Sequence, residues 1–415
     1  MPTEFTGYEY LLIDIANNFE LDKLLFEQRI EWTTNNLSNL EQLGEQKGHW
    51  KEKPLYLKAV QVLRNAQQGK ATGHLIGLDA VNSGMQIMSV LTGCVDGARA
   101  TGLVDPNVRS DAYTACTALM GKLLGTNLTN SRKAVKQAVM TYLYGSKKEP
   151  KMLFGEDTKE LHAFHNAMYK LAPGACELLT GLIDTWRPFA LQHSWQLPDG
   201  GDVIISVMEQ KKTRIEVDEL AGTTFSYIYN EVEGKERDVK NAANIVHSVD
   251  AYVLRSLIRR CSYDIHWTTA WQEATKAQLL ERHLGGAVVK AKDGKEPKLM
   301  KRYEASAMAD ITILDGMSVT DLDYLSDNHL LKLESVLSSM LENHPFPIIT
   351  IHDDFKAHAN NLNHLRKHYR NILAEMAESE LLSDLMSQLY ETPVTIRKKS
   401  TNLPTFIRNS NYGIC

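Results

Sequence analysis

Apolar residues recur at helical spacing through the first 70 positions, as Leu11, Leu12, Ile15, Leu21, Leu24, Leu25 and Ile30, with polar breaks between them, which predicts a helical opening. A short apolar run, HLIGL at His74 to Leu78, then reads as a buried strand that stops at Asp79. Ser83 and Gln86 have the spacing of a capping box opening a helix through Met88 and Leu91. Further helical patterns cover Asp111 to Leu124, Ser131 to Tyr144 and Ala175 to Trp186, before the turn signal Pro198-Asp199-Gly200-Gly201. Alternation over Val203 to Val207 and Thr224 to Tyr229 predicts a hairpin or ribbon whose connection carries Lys211, Lys212 and Arg214. Asn241 to Arg260 is helical again. Cys261 to Asp327 resembles an insertion, with GGAVVKAKDGKEPK as its candidate mobile loop. A helix near Leu330 to Glu342, a strand Ile348 to Ile351 running into His352-Asp353-Asp354-Phe355, a helical region Asn360 to Leu389 and a polar tail to Cys415 complete the chain.

Composition narrows the class. With 415 residues, 43% hydrophobic, the chain has enough apolar material for two or three domains. It contains neither an apolar run near the length of a membrane span nor the start of a signal peptide, so a cytoplasmic protein without a membrane partner is expected. Five scattered cysteines without a C-x-x-C pair indicate neither a disulfide framework nor a zinc site. The net charge of −5 argues against a protein that coats nucleic acid. Local basic clusters nevertheless occur, the densest at Lys290, Lys292, Lys295, Lys298, Lys301 and Arg302; a solvated loop explains these equally well.

Two constellations carry candidate chemistry. In RKAVKQAVMTYLYG, Arg132, Lys136, Met140 and Tyr144 stand four residues apart, so one helix face would present two cations and a ring along a ridge of roughly 18 Å. That length suits a nucleoside triphosphate, with phosphates on the cations and the base and sugar near Tyr144 and Gly145; an ordinary solvated face has the same spacing. Asp79 and Asp353 each follow an apolar strand. On neighbouring strands they would repel unless divalent cations lay between them, and two Mg²⁺ ions about 4 Å apart would meet that need in phosphoryl transfer. Strand-end turn residues are the plainer alternative for either aspartate alone.

Together these residues resemble the bacteriophage and mitochondrial type of single-subunit DNA-dependent RNA polymerase. LDAVNSGMQ at Leu78 to Gln86 is similar to that family's motif A, SRKAVKQAVMTYLYGSK at Ser131 to Lys147 to motif B, and IHDDF at Ile351 to Phe355 to motif C. NIVHSVD at Asn244 to Asp250 resembles its histidine helix, and Asp111-Ala112-Tyr113 its early fingers. The resemblance implies a helix-rich α+β fold, a right-hand polymerase palm with a small antiparallel sheet plus fingers, lacking the N-terminal domain and thumb. Palm would occupy 1–108 and 328–415, fingers 109–246 with a specificity hairpin near 202–240, the histidine helix 247–260, and the insertion 261–327. By position, Asp79 and Asp353, with the Ala80 carbonyl, would hold two Mg²⁺ ions. Lys23, Arg132 and Lys136 would contact the triphosphate, Lys136 also serving as acid for pyrophosphate. Tyr113, Gly84, Met140 and Gly145 would line the substrate site, Tyr144 would police sugar and base, and His247 would read the 2′-OH.

The resemblance implies RNA synthesis on a DNA template from ribonucleoside triphosphates. Family-A DNA polymerases share the layout, but where they have a glutamate five residues after the first aspartate this chain has Gly84, and where they have phenylalanine it has Met140. Asp354 departs from both groups and reads as a tolerated extra carboxylate. Only 78 residues precede Asp79, too few for the family's promoter-melting elements and its early active-site arginine. The expectation is therefore a split enzyme, similar to the two-subunit early RNA polymerases of N-four-type phages, whose smaller polypeptide supplies those elements. A DNA polymerase fragment and a non-catalytic nucleic-acid-binding subunit are the alternatives.

Overall fold

The computed structural model describes residues 2–128, 131–207, 209–231, 235–286, 288 and 299–415. The candidate mobile loop lies almost wholly outside the described residues, as do Lys290, Lys292, Lys295 and Lys298. The opening is helical as expected: α1 (Gly7–Ala16), α2 (Phe26–Asn35), α3 (Leu40–Gln46) and α4 (Lys53–Gln67). Thr6 and Glu9 close a reciprocal capping box on α1. A single π-helical turn, Asn17–Leu21, ends α1, with Glu20 forced to φ 71°.

Strand β1 (Leu75–Asp79) leads into α5 (Ser83–Thr92) and α6 (Val95–Ala100). The helix cap differs from the sequence expectation: Asn82, in left-handed conformation, caps α5 through its side-chain oxygen, and Ser83 is already helical. Gln86 is thereby released for another task. Its amide, fully buried, donates to the carbonyls of Thr101 and Gly413 at 2.9 and 2.8 Å and accepts from the Tyr369 hydroxyl at 2.6 Å.

Helices α7 (Ala112–Leu124), α8 (Arg132–Tyr142), α9 (Lys148–Phe154), α10 (Lys159–Leu171) and α11 (Pro173–Asp184) follow. Asp111 caps α7. The α8 helix stops at Tyr142, so Tyr144 lies in the turn beyond it rather than on the same helical face. The expected ribbon resolves into two antiparallel hairpins. β2 (Gln192–Gln196) pairs with β3 (Asp202–Ser206), and β4 (Glu209–Val217) pairs with β5 (Thr223–Glu231). Lys211, Lys212 and Arg214 therefore sit within β4 and not in a connection, in register with Tyr229, Ile228 and Ser226 of β5.

Helix α12 (Lys240–Cys261) runs through the centre, packed on α5 and α16. Helices α13 (Ile265–His283), α14 (Met300–Ser306) and α15 (Asp327–Leu341) build a second core around Trp271, Ile313, Leu322, Leu330 and Leu337, which reaches beyond residue 327 to Met340. Ion pairs fasten it to the body: Arg259 bridges Asp199 and Asp310 at 3.3 and 2.7 Å, and Arg302 meets Asp384 at 3.1 Å. Strands β6 (Ile349–Ile351) and β7 (Asp354–His358) precede α16 (Leu362–Glu378), α17 (Leu381–Tyr390) and α18 (Leu403–Asn409).

The central sheet has the order β1-β7-β6, all antiparallel, with Asp79 opposite Asp354. Its inner face, Ile76, Leu78, Phe355 and Ala357, is buried against the helices. The expected polar tail instead docks at the C-terminal end of β1. Val81 N–H donates to the Gly413 carbonyl and Cys415 N–H to that of Asp79, at 3.2 and 3.1 Å, and Tyr412 stacks on Phe26. The fold is a helix-rich α+β arrangement with small antiparallel sheets. Among the described residues no helix is long and apolar enough to cross a membrane.

Replacing Gln86 by Leu strands three buried polar groups, so the urea-unfolding free energy is expected to fall by about 3 kcal/mol. An unchanged midpoint would show that the Gln86 contacts do not tie the tail to α5.

Candidate active site

The sheet positions the carboxylates. β6 and β7 are joined by a two-residue turn, His352-Asp353, in which His352 takes φ 56°. The sequence reading ran one strand straight into these residues; the turn instead puts Asp353 at a hairpin tip, and its carbonyl accepts from Ala80 N–H at 3.0 Å. Asp79 ends β1 directly opposite Asp354. Asp79, Ala80, Asp353 and Asp354 thus line one cavity of about 930 Å³, together with Lys23, Tyr113, Lys136 and Met140.

Electrostatics within the cavity are those of crowded acids. Partial desolvation, then the charges of Asp353 and Asp354, push the Asp79 carboxyl up to about 6, while Lys136 and Lys23 act in the opposite sense. Asp354 is restrained separately. It pairs with Lys356 at 3.2 Å and lies across Gly77, where an added Cβ would sit 2.5 Å from its Oδ1. A side chain at this mid-strand glycine would push that carboxylate aside.

A second cluster adjoins the first. Tyr144 packs against His247 with ring centroids 4.6 Å apart. A Cβ on Gly84 would stand 3.2 Å from the Tyr144 hydroxyl oxygen, so a side chain there would shift that ring by a few tenths of an ångström. Gly145, at φ 88°, presses on Val239, where a Cβ would come within 2.8 Å. Burial, with Asp250 and Asp353 nearby, raises the Tyr144 hydroxyl.

The cations are distributed unevenly. Lys136 approaches the Tyr113 ring at 5.3 Å and faces the cavity. Lys23 is paired with Asp22 at 2.6 Å and stands in the loop after the π-turn. The fully buried Arg29 pins that loop by donating to the carbonyls of Leu24 and Asp22 and to the Asn17 side chain. Arg132 stands beside Lys136, its guanidinium 5.7 Å from the same Tyr113 ring; it also binds the α7 cap Asp111 and the Thr114 hydroxyl, and it lines an adjoining groove, whereas Lys136 lines the carboxylate cavity.

Sequence reasoning passed over two residues. Asp250 lies three residues after His247 on α12 and is pushed up to about 6 by desolvation first and by Asp353 second, with His352 and Ser83 acting in the opposite sense. Its spacing from His247 was a usable signal. Arg109 lines both the cavity and the groove from a loop with no periodic pattern.

Divalent cations fit the donor chemistry in part. Asp79 and Asp353 offer hard carboxylate oxygens at one cavity wall, and the Ala80 carbonyl, which already accepts from Asn82 N–H at 3.0 Å, keeps one lone pair. Among the described residues no group of three or more histidine, cysteine or acidic side chains has metal-holding geometry. Phosphate and water oxygens would have to complete any coordination shell.

Residues 1–152 match the model of the DNA-dependent RNA polymerase family, so this part of the chain is a domain of that family and the enzyme class is a DNA-directed RNA polymerase. The matched span contains Lys23, Asp79, Gly84, Tyr113, Arg132, Lys136 and Tyr144; His247 and Asp353 fall outside it. No curated protein matches the chain.

The raised Asp79 carboxyl gives a pH prediction for protein stripped of divalent cations. Unfolded, the group ionises near 3.8; folded, it keeps its proton to about 6, so the stability it contributes is complete below the lower value and lost as pH rises through the upper one. Asp79→Asn is therefore expected to melt higher than the parent at pH 7.5, with the gap narrowing toward pH 5. A gap independent of pH would contradict the assignment.

Proposed function

We propose that this chain is the catalytic palm and fingers of a phage-type RNA polymerase, joining ribonucleotides on a DNA template. The observation that carries the reading is the β1–β7 register, which sets Asp79 beside the Asp353 turn in the same cavity as Lys136 and Lys23. In this reading Asp79 and Asp353, with the Ala80 carbonyl, hold two Mg²⁺ ions. When bound, the ions neutralise charge on the reacting phosphate and favour ionisation of the attacking 3′-hydroxyl.

The protein groups then divide the remaining work. Lys136 and Lys23 attract the triphosphate, and Lys136 gives a proton to the departing pyrophosphate. Arg132 joins them by exchanging the Asp111 carboxylate for a phosphate, one charge-assisted partner for another. Tyr113 and Met140 wall the cavity. Tyr144 and His247 receive the sugar, with Gly145 letting the chain turn closely there. Because Gly84 carries no side chain beneath Tyr144, nothing at that position blocks a 2′-hydroxyl.

The reading extends to a smaller polypeptide that completes the enzyme with the family's promoter-melting and thumb elements. Its support is the resemblance itself, together with one apolar face of the β4–β5 ribbon: Ile215, Phe225 and Tyr227 lie on the same side and are about half exposed or more. Co-expression with such a partner should yield a stable complex with greater promoter-dependent activity. Full promoter-dependent activity from this chain alone would remove the need for it.

Primed-template extension is the direct test. With Mg²⁺ the enzyme is expected to incorporate ribonucleotides in strong preference to deoxyribonucleotides, and chelation should stop extension. Asp79→Asn and Asp353→Asn should each lower the rate by at least about a thousandfold while the circular dichroism spectrum stays unchanged. Equal use of deoxyribonucleotides would favour a DNA polymerase. Undiminished extension by either variant would defeat the assigned roles.

A further inference from the structure

Arg109 stands at the opening between the carboxylate cavity and the adjoining groove, and it lines both, as do Lys23 and Asp111. The arginines around it are satisfied. Arg99 pairs with Asp96 and Asp105, Arg132 with Asp111, and Arg29 has three oxygen acceptors. Among the described residues Arg109 forms no ion pair within 4.0 Å; its one hydrogen bond runs from a terminal nitrogen to the carbonyl of its neighbour Ser110, at 2.6 Å. Its Nε is buried and has no partner. Both nearby carboxylates are engaged elsewhere, Asp22 by Lys23 and Asp111 by Arg132.

Burial chiefly lowers the Arg29 guanidinium; the Arg109 charge adds to this while Cys415 and Asp22 oppose it, so Arg29 and Arg109 are two cations within electrostatic range of one another. Lys23 adds a third at the same opening. An anion there would relieve the repulsion and give the guanidinium fork two oxygens to bind. Position selects the anion. The residues proposed to hold sugar and base, Gly84, Tyr144 and His247, line neither cavity nor groove, while Lys136 and Tyr113 line the cavity together with the aspartates and Arg109.

We propose that Arg109 is a further substrate-binding residue, which takes the terminal phosphates of the incoming nucleoside triphosphate and then the pyrophosphate released from it. This rests on the polymerase reading, which supplies the triphosphate. Arg109 performs no proton transfer; it holds the end of the phosphate chain farthest from the bond that breaks, so its loss weakens binding and leaves the chemical step.

The test uses the full chain and inorganic magnesium tripolyphosphate, followed by calorimetry, and so does not depend on extension activity. The parent is expected to bind. Arg109→Ala should bind about tenfold more weakly, and Arg109→Lys in between, while Arg99→Ala in the groove should match the parent. In extension assays Arg109→Ala should raise KM for ribonucleotides about tenfold with kcat within about twofold, and KM for template should not move. Unaltered tripolyphosphate affinity in both Arg109 variants, no binding by the parent, or a rise confined to the template KM would each overturn the proposal. Failure of the parent to extend any primer, with the binding result intact, would instead count against the polymerase reading.

Discussion

Everything at the candidate site depends on the pairing of two strands that are distant in the chain. β1 and β7 meet antiparallel with Asp79 facing Asp354, and a one-residue slip would turn Asp79 into the helical core and Leu78 out to water. The buried face of Ile76, Leu78, Phe355 and Ala357 fixes that register by burial alone. The acids gain nothing from being together. They are held against their repulsion by apolar packing on the opposite side of the same sheet, and Lys356, Lys136 and Lys23 offset part of the cost.

The supports around this edge are of two kinds. Backbone hydrogen bonds link Ala80 to Asp353 and Cys415 to Asp79, fixing main chain rather than side chains. Buried polar side chains then hold the next layer, with Gln86 tying α5 to the tail and Arg29 tying the Lys23 loop to α2. The carboxylates and lysines are left to respond to charge on a rigid base. Such a division suits a site whose partners are polyanions and metal ions.

Periodicity made the helices around the site legible. Helices α7, α8 and α12 were plain from spacing, and Asp79 and Asp353 declared themselves by following apolar runs. What escaped was set by partners remote in sequence. Asn82 displaces Ser83 as a cap because the chain turns left-handed after Ala80. Arg132 also takes Asp111, a partner 21 residues away, as an ion pair. The tail looked polar because its buried residues, Tyr412, Ile414 and Cys415, are separated by small and polar ones that show no period. Helices α9 and α10 lie in a stretch whose basic and charged residues masked their apolar stripe. Arg109 had no local signal, since its significance arises only where two hollows meet.

The docking of residues 411–415 at the end of β1 has a consequence for biogenesis. The hairpin strand that pairs with β1 and the strap that meets the chain at Asp79–Val81 are both synthesised hundreds of residues after it. While the ribosome is still making them, the Leu75–Asp79 segment has an apolar face and open backbone groups that invite pairing with other nascent chains. Aggregation pressure during synthesis should therefore concentrate on the strand that later carries Asp79, and chaperone demand should persist until residues 411–415 have been made.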